Sequence, residues 1–272
     1  MAKTKREIIQ DLKLIDVVIE LLDSRIPLSS QNPDIAGITK GKKRMILLNK
    51  SDMANEKQNK LWAEHFSKKG IPAVIVDSNK GTGMREVVAK IEEIMEEEKQ
   101  RQIAKGRIGK KTRVMILGIP NVGKSSFINR ITKKSSMEVG NKPGVTRQKQ
   151  WIRIDKNIEL LDTPGVLWPK FEDEKIGLNL AFTGTIKDDI LDQVEIALKL
   201  LEELYREYKQ NLIERYKITE EELQEIFGEQ NTKQRTTKIL ELMNLIGRKR
   251  GALLQGRNSR RRKNSKNVNG WL

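Results

Sequence analysis

The sequence predicts an α/β fold in which a mostly parallel sheet is flanked by helices, followed by a smaller all-α domain. Two observations predict the sheet. Short apolar runs alternate with amphipathic stretches along residues 1–174, the pattern of parallel βαβ units. A glycine-rich loop ending in Lys124-Ser125 also falls between one such run and the next helix. A third observation predicts the helical part: from about residue 175 the β signal vanishes and apolar residues recur only at helical spacing.

Taken in order, "REIIQDLKL" is a short amphipathic helix that leads into "IDVVIELLDSR", an apolar run read as a buried strand and bounded by the proline-containing loop "IPLSSQNP". "KRMILLNKSD" is a strand entering a loop, "NEKQNKLWAEHFSKKG" a helix with a glycine stop, and "IPAVIVDSNKGTG" another strand and loop. "MREVVAKIEEIMEEEKQ" carries Val87, Val88, Ile91, Ile94 and Met95 on a helical period. Residues 101–111, with two glycines, five basic residues and no apolar period, predict a linker. The pattern then restarts: "TRVMILG" is a strand, "KSSFINRI" opens a helix, and "QWIRIDKNIELLDTPG" predicts a hairpin running into a loop.

Three helical stretches make up the second domain, residues 175–256: "DDILDQVEIALKLLEELYREY", "ITEEELQEIFG" with a Thr219-x-x-Glu222 capping box, and "NTKQRTTKILELMNLIGRKRG" with a glycine stop. The domains are thus expected at 1–174 (halves 1–100 and 112–174 joined by the linker), 175–256 and a basic tail, 257–272, that stays disordered unless bound.

Composition limits the chemistry. There are 53 Lys+Arg against 37 Asp+Glu in 272 residues, a formal net charge of +16, which favours a polyanionic partner and nucleic acid first. Residues 247–272 hold nine Lys/Arg and no acid. With no cysteine, disulfides, thiolate zinc sites and cysteine nucleophiles are excluded; with one histidine, His65, a Ser-His-Asp site is disfavoured. No apolar run reaches the length of a membrane span or looks like a signal peptide, so a cytoplasmic monomer with no membrane partner is expected.

The loops carry the chemistry. Gly118-Ile-Pro-Asn-Val-Gly-Lys-Ser125 satisfies G-x-x-x-x-G-K-[ST] between a strand and a helix, where backbone N–H groups of Asn121, Val122, Gly123, Lys124, Ser125 and Ser126 can wrap a phosphate at a helix N-terminus. Lys124 is expected to bridge β- and γ-phosphates and the Ser125 hydroxyl to bind Mg²⁺. In "LLDTPG", Asp162 is placed to hold Mg²⁺ and the Gly165 N–H to face the γ-phosphate; in "KPGVT", Thr146 offers a second hydroxyl to the metal. Lys124, Thr146 and Gly165 are the candidate catalytic groups.

In "NKSD", the Asp52 carboxylate can accept from the N1–H and 2-amino edge of guanine, with Asn49 reaching toward O6 and N7 and the Lys50 stem packing on the base face. Adenine would leave that carboxylate unpaired, a mismatch that can reject the wrong ligand by roughly 10⁴-fold. "DSNKG", with Ser78, Asn79 and Lys80, can close over the base. All the elements of a guanine-nucleotide switch are therefore present in a cyclically shifted order, with the base readers first. A parallel sheet tolerates this because its strand ends lie along one edge and domain termini are often close together. The shift makes the γ-phosphate-sensing segment, 162–165, run directly into the helical domain, so ordering it on GTP can reposition that domain.

With "LLDSRIPLSSQNPDI", "LLNKSD", "GIPNVGKSS", "KPGVT" and "LLDTPGVLWPKF" in this order, the chain resembles the ribosome biogenesis GTPase A family (RbgA, also called YlqF), over about residues 3–256 including "IGRKRGALLQG". The resemblance implies a circularly permuted P-loop GTPase that hydrolyses GTP in late assembly of the bacterial large (50S) ribosomal subunit, slowly alone and faster on the subunit, with its helical domain touching rRNA. It implies GTP/GDP and Mg²⁺ as ligands, and K⁺ at Asn121, which matches the asparagine that helps related GTPases bind potassium beside the phosphates. Val166 stands where Ras-like proteins carry a water-orienting glutamine, so another group must position water.

Three features depart from the family pattern. Its Trp-Phe-Pro-Gly-His stretch, whose histidine is proposed to act in hydrolysis, would precede Met1 and is not in this sequence; His65 lies on a surface-helix pattern and is no substitute. Asn79 and Ser24 replace the family's alanines in the base-capping loop and the Asp-Ala-Arg motif. "SRRRKNSKNVNGWL" stands in place of a C-terminal apolar helix. A GTP-gated RNA-binding module with little hydrolysis is the alternative these departures raise.

Overall fold

The computed structural model describes residues 2–107, 109–133, 151–161, 173–186, 192–229 and 231–252. These fall into two compact units that divide between Gly177 and Leu178.

In the first unit, α1 (Ala2–Leu12) precedes strand β1 (Val17–Asp23). The proline-containing stretch after it is more ordered than the sequence reading expected. It forms two short helices, α2 (Pro27–Ser30) and α3 (Pro33–Ile38), each with proline in its first turn, where the missing N–H costs nothing. Asn32 caps α3 by accepting from Asp34 N at 2.9 Å. Then come β2 (Lys43–Asn49), a 3-10 turn at Ser51–Met53, α4 (Glu56–Lys68), β3 (Ala73–Ile75) and α5 (Met84–Ala104). α5 runs on through the first four residues of the stretch read as a linker. Gln102 donates to Glu98 one turn earlier at 2.7 Å, so polar spacing extends the helix where apolar period gives no signal. β4 (Thr112–Leu117), α6 (Lys124–Lys133) and the hairpin β5 (Trp151–Asp155) with β6 (Ile158–Leu161) complete the layer.

The sheet order is β3-β2-β1-β4-β6-β5, with every pair parallel except the β5–β6 hairpin. β1 is buried at all seven positions. Its alternation sends Val18 and Leu22 to one face, where Ile8, Leu12 and Ile35 pack near Val18 and Phe66 near Leu22, while Val17, Ile19 and Leu21 point to the other. A central strand buried on both faces is what helices on both sides of a parallel sheet require. Glu20 interrupts this run: its carboxylate is 2.9 Å from Arg44 and accepts from Asn32 N, anchoring the start of α3.

The second unit is helical among its described residues. It takes in the end of α7 (Glu174–Phe182), then α8 (Gln193–Glu207), α9 (Lys209–Tyr216), α10 (Glu220–Phe227) and α11 (Arg235–Lys249). Asp192 caps α8, and Thr219 with Glu222 forms the expected capping box on α10. The helical stretch read through Tyr208 ends as expected, with Tyr208 leaving helical geometry (φ −135°) after Glu207, while α9, which the sequence reading did not single out, starts there as a separate element. Leu200, Leu201, Leu212, Leu223, Leu242 and Met243 form the core, and Tyr205 stacks on Phe227 with centroids 4.0 Å apart. No helix among the described residues is long and apolar enough to cross a membrane.

Candidate nucleotide-binding site

Five parallel strands end on the same edge of the sheet, and the strand order reverses direction between β1 and β4. A crevice opens at such a reversal, and ligands of α/β sheets bind there. Three loops meet in it, leaving β4, β2 and β3.

The loop after β4 occupies residues 118–123. Asn121 and Gly123 take left-handed backbone angles, φ 58° and 94°. A Cβ on Gly123, at φ 94°, would lie 2.4 Å from the Asn49 amide nitrogen, so close approach requires a glycine there, and one on Gly118 would lie a tight 3.0 Å from the Leu21 carbonyl. Val122 is buried while Ser125 and Ser126 are exposed at the start of α6. α6 begins at Lys124 and has no acid in its first turn, so no side chain of its own neutralises its positive end.

The loop after β2 starts at Asn49, the register partner of Asp23 on β1. Sequence reasoning gave Asn49 to the base. The structure turns its amide inward: Nδ2 donates to the Val122 carbonyl at 2.8 Å, and Oδ1 accepts from the Ser78 hydroxyl at 2.7 Å and the Ser78 N–H at 3.2 Å. Asn49 still belongs to the sheet and is 1% exposed, so its polar atoms must be satisfied internally. It thereby ties the phosphate-type loop to both base-side loops. Lys50 takes a left-handed conformation (φ 59°), and its ammonium donates to the Asn121 carbonyl at 2.8 Å and lies 3.0 Å from Asp23. Asp52 follows, exposed, in the 3-10 turn that Lys50 starts.

The loop after β3 is folded around Asp77, whose Oδ1 accepts from Asn79 N at 2.8 Å and Lys80 N at 3.0 Å, leaving both side chains exposed above buried Ser78. Arg130 of α6 donates to the Ser78 carbonyl at 3.1 Å, a second tie between the base side and the phosphate side. Asp77 and Arg130 were missed by sequence reasoning, and Asp23, read only as the aspartate of the Asp-Ala-Arg motif, was given no role. Arg130 lies on the helix after the glycine loop, but its partner is fixed only by the fold.

Asp23 is the electrostatic centre of the crevice. Its side chain is 1% exposed, and burial alone would push its carboxyl up. Bonds from Arg25 at 2.9 and 2.8 Å, together with the Lys50 charge, outweigh that and hold it below the usual carboxylate range. Thr146, Asp162, Gly165 and Val166 lie outside the described residues. The groups that are described fit a nucleoside phosphate with a hard cation. The glycine-held loop and the acid-free first turn of α6 suit phosphate, Lys124 adds an ammonium, and Ser125 offers the hydroxyl oxygen that Mg²⁺ prefers. His65 is partly buried in α4 between Trp62 and Phe66, on a different element from these loops.

Residues 113–244 match the family model described as "50S ribosome-binding GTPase". The chain is 45% identical to Ribosome biogenesis GTPase A of Bacillus licheniformis, over 94% of this chain and 86% of that protein. It is 44% identical to the protein of the same name from Bacillus cereus, over 94% and 82%. In fold it is similar to GDP-bound YlqF, with a TM-score of 0.63 at 24% identity, over 97% of this chain and 95% of that one.

Proposed function

This chain belongs to the ribosome biogenesis GTPase A family, and from that premise we propose that it binds and hydrolyses GTP in the crevice between β1 and β4 and acts in assembly of the large ribosomal subunit. The observation that carries the site reading is the Asn49–Val122 hydrogen bond. It joins the loop that carries Asp52 to the loop that leads into Lys124, and this closeness supports a single nucleotide reaching from one to the other.

The Asp52 carboxylate accepts from the guanine edge, the Lys50 stem lies along the base, and Ser78, Asn79 and Lys80 close over it. Backbone N–H groups of residues 121–126 and the Lys124 ammonium hold the phosphates. Ser125, with Thr146 and Asp162, holds Mg²⁺, which neutralises charge on the β- and γ-phosphates when bound. The Gly165 N–H senses the γ-phosphate. Asn121 is the position at which K⁺ adds a further positive charge, in place of an arginine finger.

The domain halves 1–100 and 112–174, the helical domain 175–256 and the tail 257–272 divide the work: the two halves read the nucleotide, and the helical domain and tail meet rRNA, with the positive charge concentrated in residues 247–272, which hold nine Lys/Arg and no acid. A monomer acting in the cytoplasm, where the subunit is built, suits this role. Co-sedimentation with large subunits in GDP and in a non-hydrolysable GTP analogue tests it: association should be stronger with the analogue, and equal sedimentation in both states would refute nucleotide control. Phosphate release should rise when subunits are added and be faster in potassium than in sodium buffer. No stimulation by subunits would favour the near-silent RNA-binding module instead.

A further inference from the structure

We propose that Asp23 is a positioning residue for guanine recognition: its buried carboxylate holds the Lys50 ammonium against the phosphate loop and so sets the turn that presents Asp52. The inference rests on the guanine-nucleotide reading above and names a residue that touches no ligand itself.

Asp23 ends β1, and its neighbour in register on β2 is Asn49, one residue before Lys50. The carboxylate is 1% exposed and cannot be solvated by water. Three donors satisfy it: the Arg25 guanidinium on both oxygens, the Arg25 N–H at 3.1 Å and Lys50 at 3.0 Å. Lys50 in turn donates to the Asn121 carbonyl at 2.8 Å. Among the described residues only three carrying a side chain beyond glycine's have positive φ: Lys50, Asn121 and Lys217. Two of these three are bonded to each other across the crevice. Such conformations persist where surrounding contacts over-determine them, and they gather at ligand sites.

Asp23 supplies the contact for Lys50. Because Lys50 is the residue from which the Ser51–Met53 turn starts, its backbone conformation decides where the next residues point. Without the carboxylate, the ammonium has only a carbonyl to hold it, and Lys50 is free to return to a right-handed or extended conformation. Asp52 would then be displaced from the base.

The test is a double-mutant cycle read by binding of a fluorescent GDP analogue, with thermal melting in parallel. Lys50→Met keeps the side-chain stem and the backbone strain and removes only the charge. Asp23→Asn should weaken GDP binding about tenfold in the wild-type background and less than about twofold in the Lys50→Met background. An equal loss in both backgrounds, or no loss in the first, would overturn the proposal. If Asp23→Asn does not fold, Arg25→Gln decides: it leaves the Asp23–Lys50 pair in place, so GDP affinity should stay within about twofold even as melting falls. A loss near tenfold there would mean that Asp23 serves only the turn it shares with Arg25. Asp52→Ala in the same assay separates the two levels, since unchanged GDP binding by that variant defeats the guanine reading itself, whatever Asp23 does.

Discussion

The side-chain amide of Asn49 and the main-chain carbonyl of Val122 are hydrogen-bonded at 2.8 Å although 73 residues separate them in sequence. In the order of the chain the base-side loop comes first and the phosphate-side loop later; this bond joins them without regard to that order. Shifting the termini of the domain therefore leaves the crevice intact, provided β1 continues to seat β2 and β4 on its two sides.

Asn49→Ala should be the costliest single truncation on the base side. It leaves the Val122 carbonyl and the Ser78 hydroxyl without their buried partner, a loss of about 1–3 kcal/mol. Urea unfolding should report that loss and nucleotide titration a parallel fall in affinity. Unchanged affinity in a destabilised protein would show that the two loops do not need to be joined.

Gly123→Ala meets two obstacles, a left-handed φ of 94° and an approach of 2.4 Å to the Asn49 amide nitrogen. Gly106→Ala is the matched control, since its φ is 73° but nothing lies within 4 Å of the added carbon. Both should lose about 1–3 kcal/mol of stability from the backbone term. Only Gly123→Ala should also lose nucleotide binding, as isothermal titration would show.

Two buried carboxyls of β1 give opposite pH dependences. Asp23 is held low, so its contribution is complete above about 3.8, the unfolded value, and is lost as pH falls further through the folded value. Glu20 is raised above 4.5, chiefly by burial that the Arg44 charge and the Asn32 N–H only partly offset. The folded state therefore takes up a proton that the unfolded state does not. Relative to Glu20→Gln, the wild type should gain stability as pH falls through the folded value of Glu20 toward 4.5. Chemical denaturation of both proteins across that range checks the sign, and a constant difference would contradict it.

In the helical unit, Thr219 N donates to Glu222 at 2.8 Å and Glu222 N donates to Thr219 at 3.2 Å. Thr219→Ala removes half of this reciprocal cap at a cost of about 1 kcal/mol. A melting transition of that unit should drop by about 4–8 °C, the range for domains of this size class, while GDP affinity stays unchanged.

The strands and long helices were legible because their period is local. "IDVVIELLD" is buried along its strand as the apolar run predicts, "MREVVAKIEEIM" buries Val87, Ile91 and Met95 of its helical period and leaves Val88 and Ile94 half-buried, and Thr219-x-x-Glu222 forms its box as read. The two short helices at Pro27 and Pro33 were not legible, because a proline that breaks a helix and one that starts it look alike without the Asn32 cap in view. The end of α5 was hidden by a polar face.

At the site, residue types were legible and their partners were not. "NKSD" and the glycine loop announced themselves, yet Asn49 spends its amide on Val122 and Ser78, and Lys50 its ammonium on Asp23 and Asn121. Those pairings follow from strand register and from which strand lies beside which. Both are properties of the folded sheet that no window of sequence contains.

Displacement of a fluorescent GDP analogue by unlabelled nucleotides, in wild type and in Asp52→Ala, bears most directly on whether one guanine nucleotide spans the crevice from Asp52 to Lys124. GTP should displace the probe from the wild type while ATP does not, and Asp52→Ala should lose both the affinity and the preference. Equal displacement by ATP, or an Asp52→Ala protein that still prefers GTP, would contradict the account.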